Sequence, residues 1–63
     1  MIKLIKILDL LELDTWVDIY EGESKLYCGE VGKCTKNIWE NAYIKSMKFN
    51  NRRERYIINV RYM

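Results

Sequence analysis

Histidine and proline are both absent from this chain, glycine occurs three times, and cysteine only at Cys28 and Cys34. The lack of histidine removes in one step Ser-His and Cys-His nucleophile pairs, the histidine general base and the commonest metal ligand. Five residues separate Cys28 from Cys34, against about two to four in zinc-binding pairs. No metal and no cofactor is expected. Without proline, tight turns fall to glycine and asparagine. A long apolar run is missing too. Met1 to Leu13 is interrupted by Lys3, Lys6, Asp9 and Glu12, which leaves no signal-peptide core of about 7–15 residues. Nothing approaches the roughly 20 apolar residues of a membrane span. The expectation is a cytoplasmic protein with both cysteines reduced, a Cys28–Cys34 disulfide being the less favoured alternative.

What is present is a single domain, residues 1–63, with a hydrophobic fraction of 49%. A chain this short buries only about 60% of the surface that its unfolded form exposes. With neither a metal set nor a disulfide framework to support it, self-association is the remaining stabiliser, and a homodimer, or stabilisation by a partner, is expected. Charge is unevenly distributed. Residues 1–32 carry three lysines against seven carboxylates, a balance of −4, and residues 33–63 carry eight cations against two carboxylates, a balance of +6. Such polarity serves self-assembly, docking on a charged partner, or phosphate binding.

Periodicity gives the elements. Ile2, Leu4, Ile5, Leu8 and Leu11 fall near one helical face, with Ile7 and Leu10 widening it, a spacing that predicts a helix of about three turns. Its apolar arc exceeds what one small sheet requires, so Ile7, Leu10 and Leu11 are the candidate dimer interface. The plainer alternative is that Leu10 and Leu13 cover the sheet edge. From Thr15 the period becomes two: Val17 and Ile19 face one way, Trp16, Asp18 and Tyr20 the other. A turn at Glu21-Gly22-Glu23-Ser24 and a return over Lys25–Val31 make a hairpin. Gly29 within that return suggests a bulge or a close approach by Trp16 or another bulky neighbour. A polar break follows, in which Thr35 or Asn37 caps one helical turn holding Ile38, Trp39 and Glu40. A strand from about Ala42 to Phe49, an asparagine turn at Asn50-Asn51, and a strand over Arg55–Tyr62 complete the chain. In the last strand Tyr56, Ile58, Val60 and Tyr62 oppose Arg55, Ile57, Asn59 and Arg61. The predicted fold is α+β: an N-terminal helix on a mostly antiparallel four-stranded sheet, in the order α-β-β-short helix-β-β.

No catalytic set emerges. Gly29-Glu30-Val31-Gly32-Lys33 lacks the phosphate-loop pattern. Lys33 and Lys36 flank Cys34, yet a structural thiol is the simpler reading. Asp9, Glu12, Asp14 and Asp18 read as a solvated acidic rim. Two clusters carry binding chemistry. The first is aromatic, led by Trp16 and Tyr20 on the face opposite Val17 and Ile19, where rings beside charges suit a protein interface or base stacking. The second is basic: Arg52, Arg53 and Arg55 with Lys45, Lys48 and Arg61, interleaved with Tyr56 and Tyr62. The competing explanation is that edge strands carry cations to prevent aggregation.

The runs Trp16-Val17-Asp18-Ile19-Tyr20, Leu26-Tyr27-Cys28-Gly29-Glu30-Val31, Ile44-Lys45-Ser46-Met47 and Ile57-Ile58-Asn59-Val60 resemble small proteins encoded by bacterial viruses and prophages. That resemblance implies an anti-defence inhibitor, anti-CRISPR proteins among them, working in the host cytoplasm by blocking a host protein or ribonucleoprotein complex; it assigns no residue a role. The leading expectation is therefore a non-enzymatic, homodimeric, protein-binding inhibitor using Trp16, Tyr20, Lys48, Arg52, Arg53 and Arg55. The alternative is a small nucleic-acid-binding regulator using the basic, aromatic C-terminal half. A third is an assembly subunit whose acidic half meets the basic half of another copy.

Overall fold

The alternating stretches form the strands expected of them, and the apolar N-terminus forms the helix that covers one side. The computed structural model describes residues 1–34 and 39–62. It contains α1 (Leu4–Leu10), β1 (Trp16–Glu21), β2 (Ser24–Glu30), a 3-10 turn (Val31–Lys33), β3 (Ala42–Asn50) and β4 (Arg55–Tyr62). The expected caps Thr35 and Asn37, and Ile38 after them, lie outside the described residues.

The sheet order is β2-β1-β4-β3. Both hairpins are antiparallel and the central pair β1–β4 is parallel, with Val17 opposite Tyr56 and Ile19 opposite Ile58. This order keeps each half of the chain on its own side of the sheet. The acidic half supplies β2 and β1, the basic half β4 and β3, and the parallel seam is where they meet.

Cross-strand partners share a face. Val17, Ile19, Ile58 and Val60 are buried together with Leu4 and Leu8 of α1, and Val31, Cys34, Trp39 and Ala42 close the same core. Burying a leucine or isoleucine side chain contributes about 1.5–3 kcal/mol, so these six aliphatics are the main support of so small a sheet.

The helix is shorter than the expected three turns. Ile2 and Lys3 leave the helical path to extend the sheet: Lys3 bridges Tyr43, and the Ile44 N–H donates to Ile2 O at 2.8 Å. At the other end Leu11 is already extended, with φ −85° and ψ 151°. A strand edge offering unpaired backbone groups thus outcompetes the first helical turn.

Gly29 is not the bulge. The extra residues are Leu26, between the pairs Ile19–Tyr27 and Tyr20–Lys25, and Lys45, between Ile44–Val60 and Ser46–Asn59. Gly29, at φ +154°, answers to a close approach by Tyr27, whose Oη would lie 2.9 Å from an added Cβ. The Tyr27 hydroxyl donates to Glu30 O at 2.7 Å, which fixes the ring over the glycine. In the β3–β4 turn it is Glu54, not an asparagine, that takes positive φ, at +54°. Asn50 contributes differently, its Oδ1 accepting the Arg53 N–H at 3.1 Å.

Candidate functional site

Among the described residues, α1 covers the Val17–Ile19 side of the sheet and no helix lies on the other. That open face carries, strand by strand, Lys25, Cys28 and Glu30 of β2, Trp16, Asp18 and Tyr20 of β1, Arg55, Ile57, Asn59 and Arg61 of β4, and Ser46 and Lys48 of β3. The alternation of β1 places Trp16 and Tyr20 as the sequence predicts, and Trp16 is 44% exposed.

At the centre is Asp18, fully buried and not part of a solvated rim. Its position on a central strand accounts for this, since β2 and β4 flank it and their side chains close over it. The Arg55 guanidinium reaches across the seam, Nη1 standing 3.2 Å from Asp18 Oδ1 and donating also to Cys28 Sγ at 3.4 Å. The same guanidinium lies 5.1 Å from the Trp16 ring centroid. Burial pushes the Asp18 carboxyl up, but the neighbouring Cys28 thiol and the Arg55 guanidinium, with Lys25 behind them, outweigh it and hold its pKa below the ordinary 3.8. Among the described residues, Asp18 Oδ2 is buried without a hydrogen-bond partner.

Along β1 the second ring repeats the arrangement, with Lys25 Nζ 5.7 Å from the Tyr20 centroid. Each ring therefore carries a cation beside it. Between β3 and β4 a cleft of about 420 Å³ is lined by Ser46, Met47, Lys48, Ile57 and Asn59. A second, of about 470 Å³, lies at the β3 edge beside Met1, Ile2, Lys3, Lys6 and Tyr43.

The fold brings Trp16, Tyr20, Lys48 and Arg55 onto one face, and Arg52 and Arg53 are exposed in the turn that opens β4 at the Trp16 end. Arg55 and Tyr20 are half-buried, and Arg55 differs from the other expected contact residues in being committed to Asp18. The candidate dimer residues separate. Leu11 packs against the core, Ile7 is half-buried, and Leu10 is 81% exposed with Leu13 exposed nearby in the chain. Cys28 and Cys34 are not bridged: Cys28 is exposed on the open face, and Cys34 is buried, accepting the Trp39 Nε1–H at 2.9 Å. Among the described residues no cluster of three or more metal-ligating side chains forms, and no helix is long and apolar enough to cross a membrane.

Sequence reasoning missed the Asp18–Arg55–Cys28 contact. The available signal was a carboxylate between two aromatic residues on a strand with hydrophobic neighbours, and an arginine opening the last strand. Comparison with family models, with curated proteins and with solved structures finds no match in any of the three.

Proposed function

We propose that this chain is a non-enzymatic binding protein that inhibits a host defence complex by occupying one of its surfaces with the helix-free sheet face. The observation that carries the reading is the open face itself, where Trp16 and Tyr20 are each paired with a cation and ordered around the buried Asp18. Rigid aromatic and arginine side chains contribute most of the energy of protein interfaces, about 2 kcal/mol or more each when central. Arg55 is held from below by Asp18 and loses little freedom on binding, so the patch is preorganised. The viral and anti-defence assignment rests on the sequence resemblance alone. Self-association through the outer side of α1 around Leu10 leaves the sheet face free for the partner.

The test is capture from bacterial lysate with the tagged chain, comparing wild type with Trp16→Leu and Lys48→Glu, each checked for native circular dichroism. A stoichiometric host complex retained by wild type and lost by both variants is the expected result. Equal retention by all three removes the sheet face from the function.

A further inference from the structure

The open face has an unbalanced charge that defines its occupant. Among the described residues its two carboxylates are already engaged, Asp18 with Arg55 at 3.2 Å and Glu30 with Lys33 at 3.2 Å. Lys25, Lys48 and Arg61 have no carboxylate within ion-pair distance among the described residues. The face that remains for a ligand is therefore cationic, and an anion complements it.

The rings narrow the class of anion. Trp16 and Tyr20 lie four residues apart on one strand, about 13 Å at a rise of roughly 3.3 Å per residue. Each has its own cation, Lys25 beside Tyr20 without a carboxylate among the described residues and Arg55 beside Trp16 shared with Asp18, so a flat ring beside a cationic group occurs twice along β1. A ligand that alternates flat rings with negative charges matches both parts of that unit; an acidic polypeptide matches only the charges. Across the seam, Ser46, Lys48 and Asn59 bring hydroxyl, ammonium and amide groups to the 420 Å³ cleft, donors and acceptors suited to sugar and base edges. The surface is a sheet face, whereas duplex grooves are entered by a helix or a two-stranded ribbon. Stacking platforms on such surfaces take unpaired strands.

We propose that the open face binds single-stranded nucleic acid, with bases stacking on Trp16 and Tyr20 and phosphates against Lys25, Lys48 and Arg61. This rests on the reading that the open face is the binding surface, and it names the strand within a host ribonucleoprotein as what that face contacts.

The experiment is fluorescence anisotropy of labelled single-stranded DNA and RNA of mixed sequence, with a duplex and polyglutamate as competitors. Three phosphate contacts on a single strand predict a log-log salt slope of about −2, at roughly 0.7 per contact. Trp16→Leu keeps an apolar side chain beside Arg55 and weakens binding about tenfold through lost stacking. Lys48→Glu, on an exposed side chain, weakens binding and flattens the slope. Absence of binding at about 50 mM salt, a slope near zero, or displacement by polyglutamate as effective as by the strand overturns the proposal. Loss of the captured host complex in both variants, without any oligonucleotide binding, identifies a protein surface as the partner: the inference then falls and the inhibitor reading stands. Strand binding that is unchanged in both variants lies off this face and overturns the inference, whereas the inhibitor reading falls only when the host complex too is captured equally by all three forms.

Discussion

Asp18 and Arg55 are 37 residues apart in the chain, yet Arg55 Nη1 lies 3.2 Å from Asp18 Oδ1 across the parallel seam of β1 and β4. The contact joins the acidic half of the chain to the basic half along the β1–β4 ladder. Removing the cation strands a fully buried carboxylate. Arg55→Met is expected to cost about 2–3 kcal/mol in urea unfolding, below the roughly 3–5 kcal/mol of wholly buried pairs because the Arg55 side chain is 22% exposed. Replacing both partners by apolar residues, Asp18→Val with Arg55→Met, is expected to restore most of that loss. A double variant as unstable as the single one shows that the pair is not the source of the effect.

The same pair sets an acid limit on stability. Asp18 titrates below its ordinary 3.8 in the folded protein, so the unfolded chain binds its proton first. The stabilisation is fully present above pH about 4 and is lost as pH falls through the lower folded value. Asp18→Asn has no such titration at this position. Thermal midpoints measured from pH 5 downward are expected to fall more steeply for wild type than for Asp18→Asn. Parallel curves would mean that the carboxyl is not held down.

The helix side, the strand alternation and the last strand over Arg55–Tyr62 were legible because burial on one face imposes a period that local sequence records. The position of Asp18 was not, because its burial depends on which strands flank β1, and the central pairing with β4 is a long-range choice with no local signature. For the same reason the helix was read too long: Ile2 and Lys3 suit a helix locally, and only the free edge of β3 draws them into the sheet. The aromatic part of the candidate site was therefore predictable, while its charged centre was not.

The two thiols differ in access. Cys28 is exposed beside Arg55, and Cys34 is buried against Trp39 Nε1. A thiol reagent is expected to modify one cysteine per native chain rapidly and the second only in denaturant, with mass spectrometry placing the first label on Cys28. Equal reactivity of the two in the native protein would contradict the packing of Cys34 in the core.

Glu54 holds φ at +54° without being glycine. A left-handed conformation costs a side-chain-bearing residue about 1–2 kcal/mol, and glycine returns roughly 0.5–1 kcal/mol of that through the greater freedom of the unfolded chain. Glu54→Gly is thus expected to stabilise the protein by about 0.5–1 kcal/mol, seen as a higher urea midpoint at unchanged slope. A loss of stability would show that the Glu54 side chain contributes more in the turn than its backbone costs.

Leu8 and Leu10 lie within a single turn of α1 and differ completely in burial. Leu8 is fully buried against the sheet, and Leu10 is 81% exposed. Leu8→Ala leaves a cavity in a core with few side chains, at an expected cost of about 2–5 kcal/mol, a large part of the stability of so short a chain. Leu10→Ala removes apolar surface from solvent only and is expected to change monomer stability by no more than about 0.5 kcal/mol. If a second copy covers this side of the helix, as proposed above, Leu10→Glu converts the dimer into a monomer while the circular dichroism spectrum stays native. Sedimentation velocity reads the difference directly. A dimer that survives Leu10→Glu places the contact elsewhere, and the exposed β2 edge around Lys25 and Leu26 is then the surface to vary, because an unpaired strand edge is another feature that a second copy could complete.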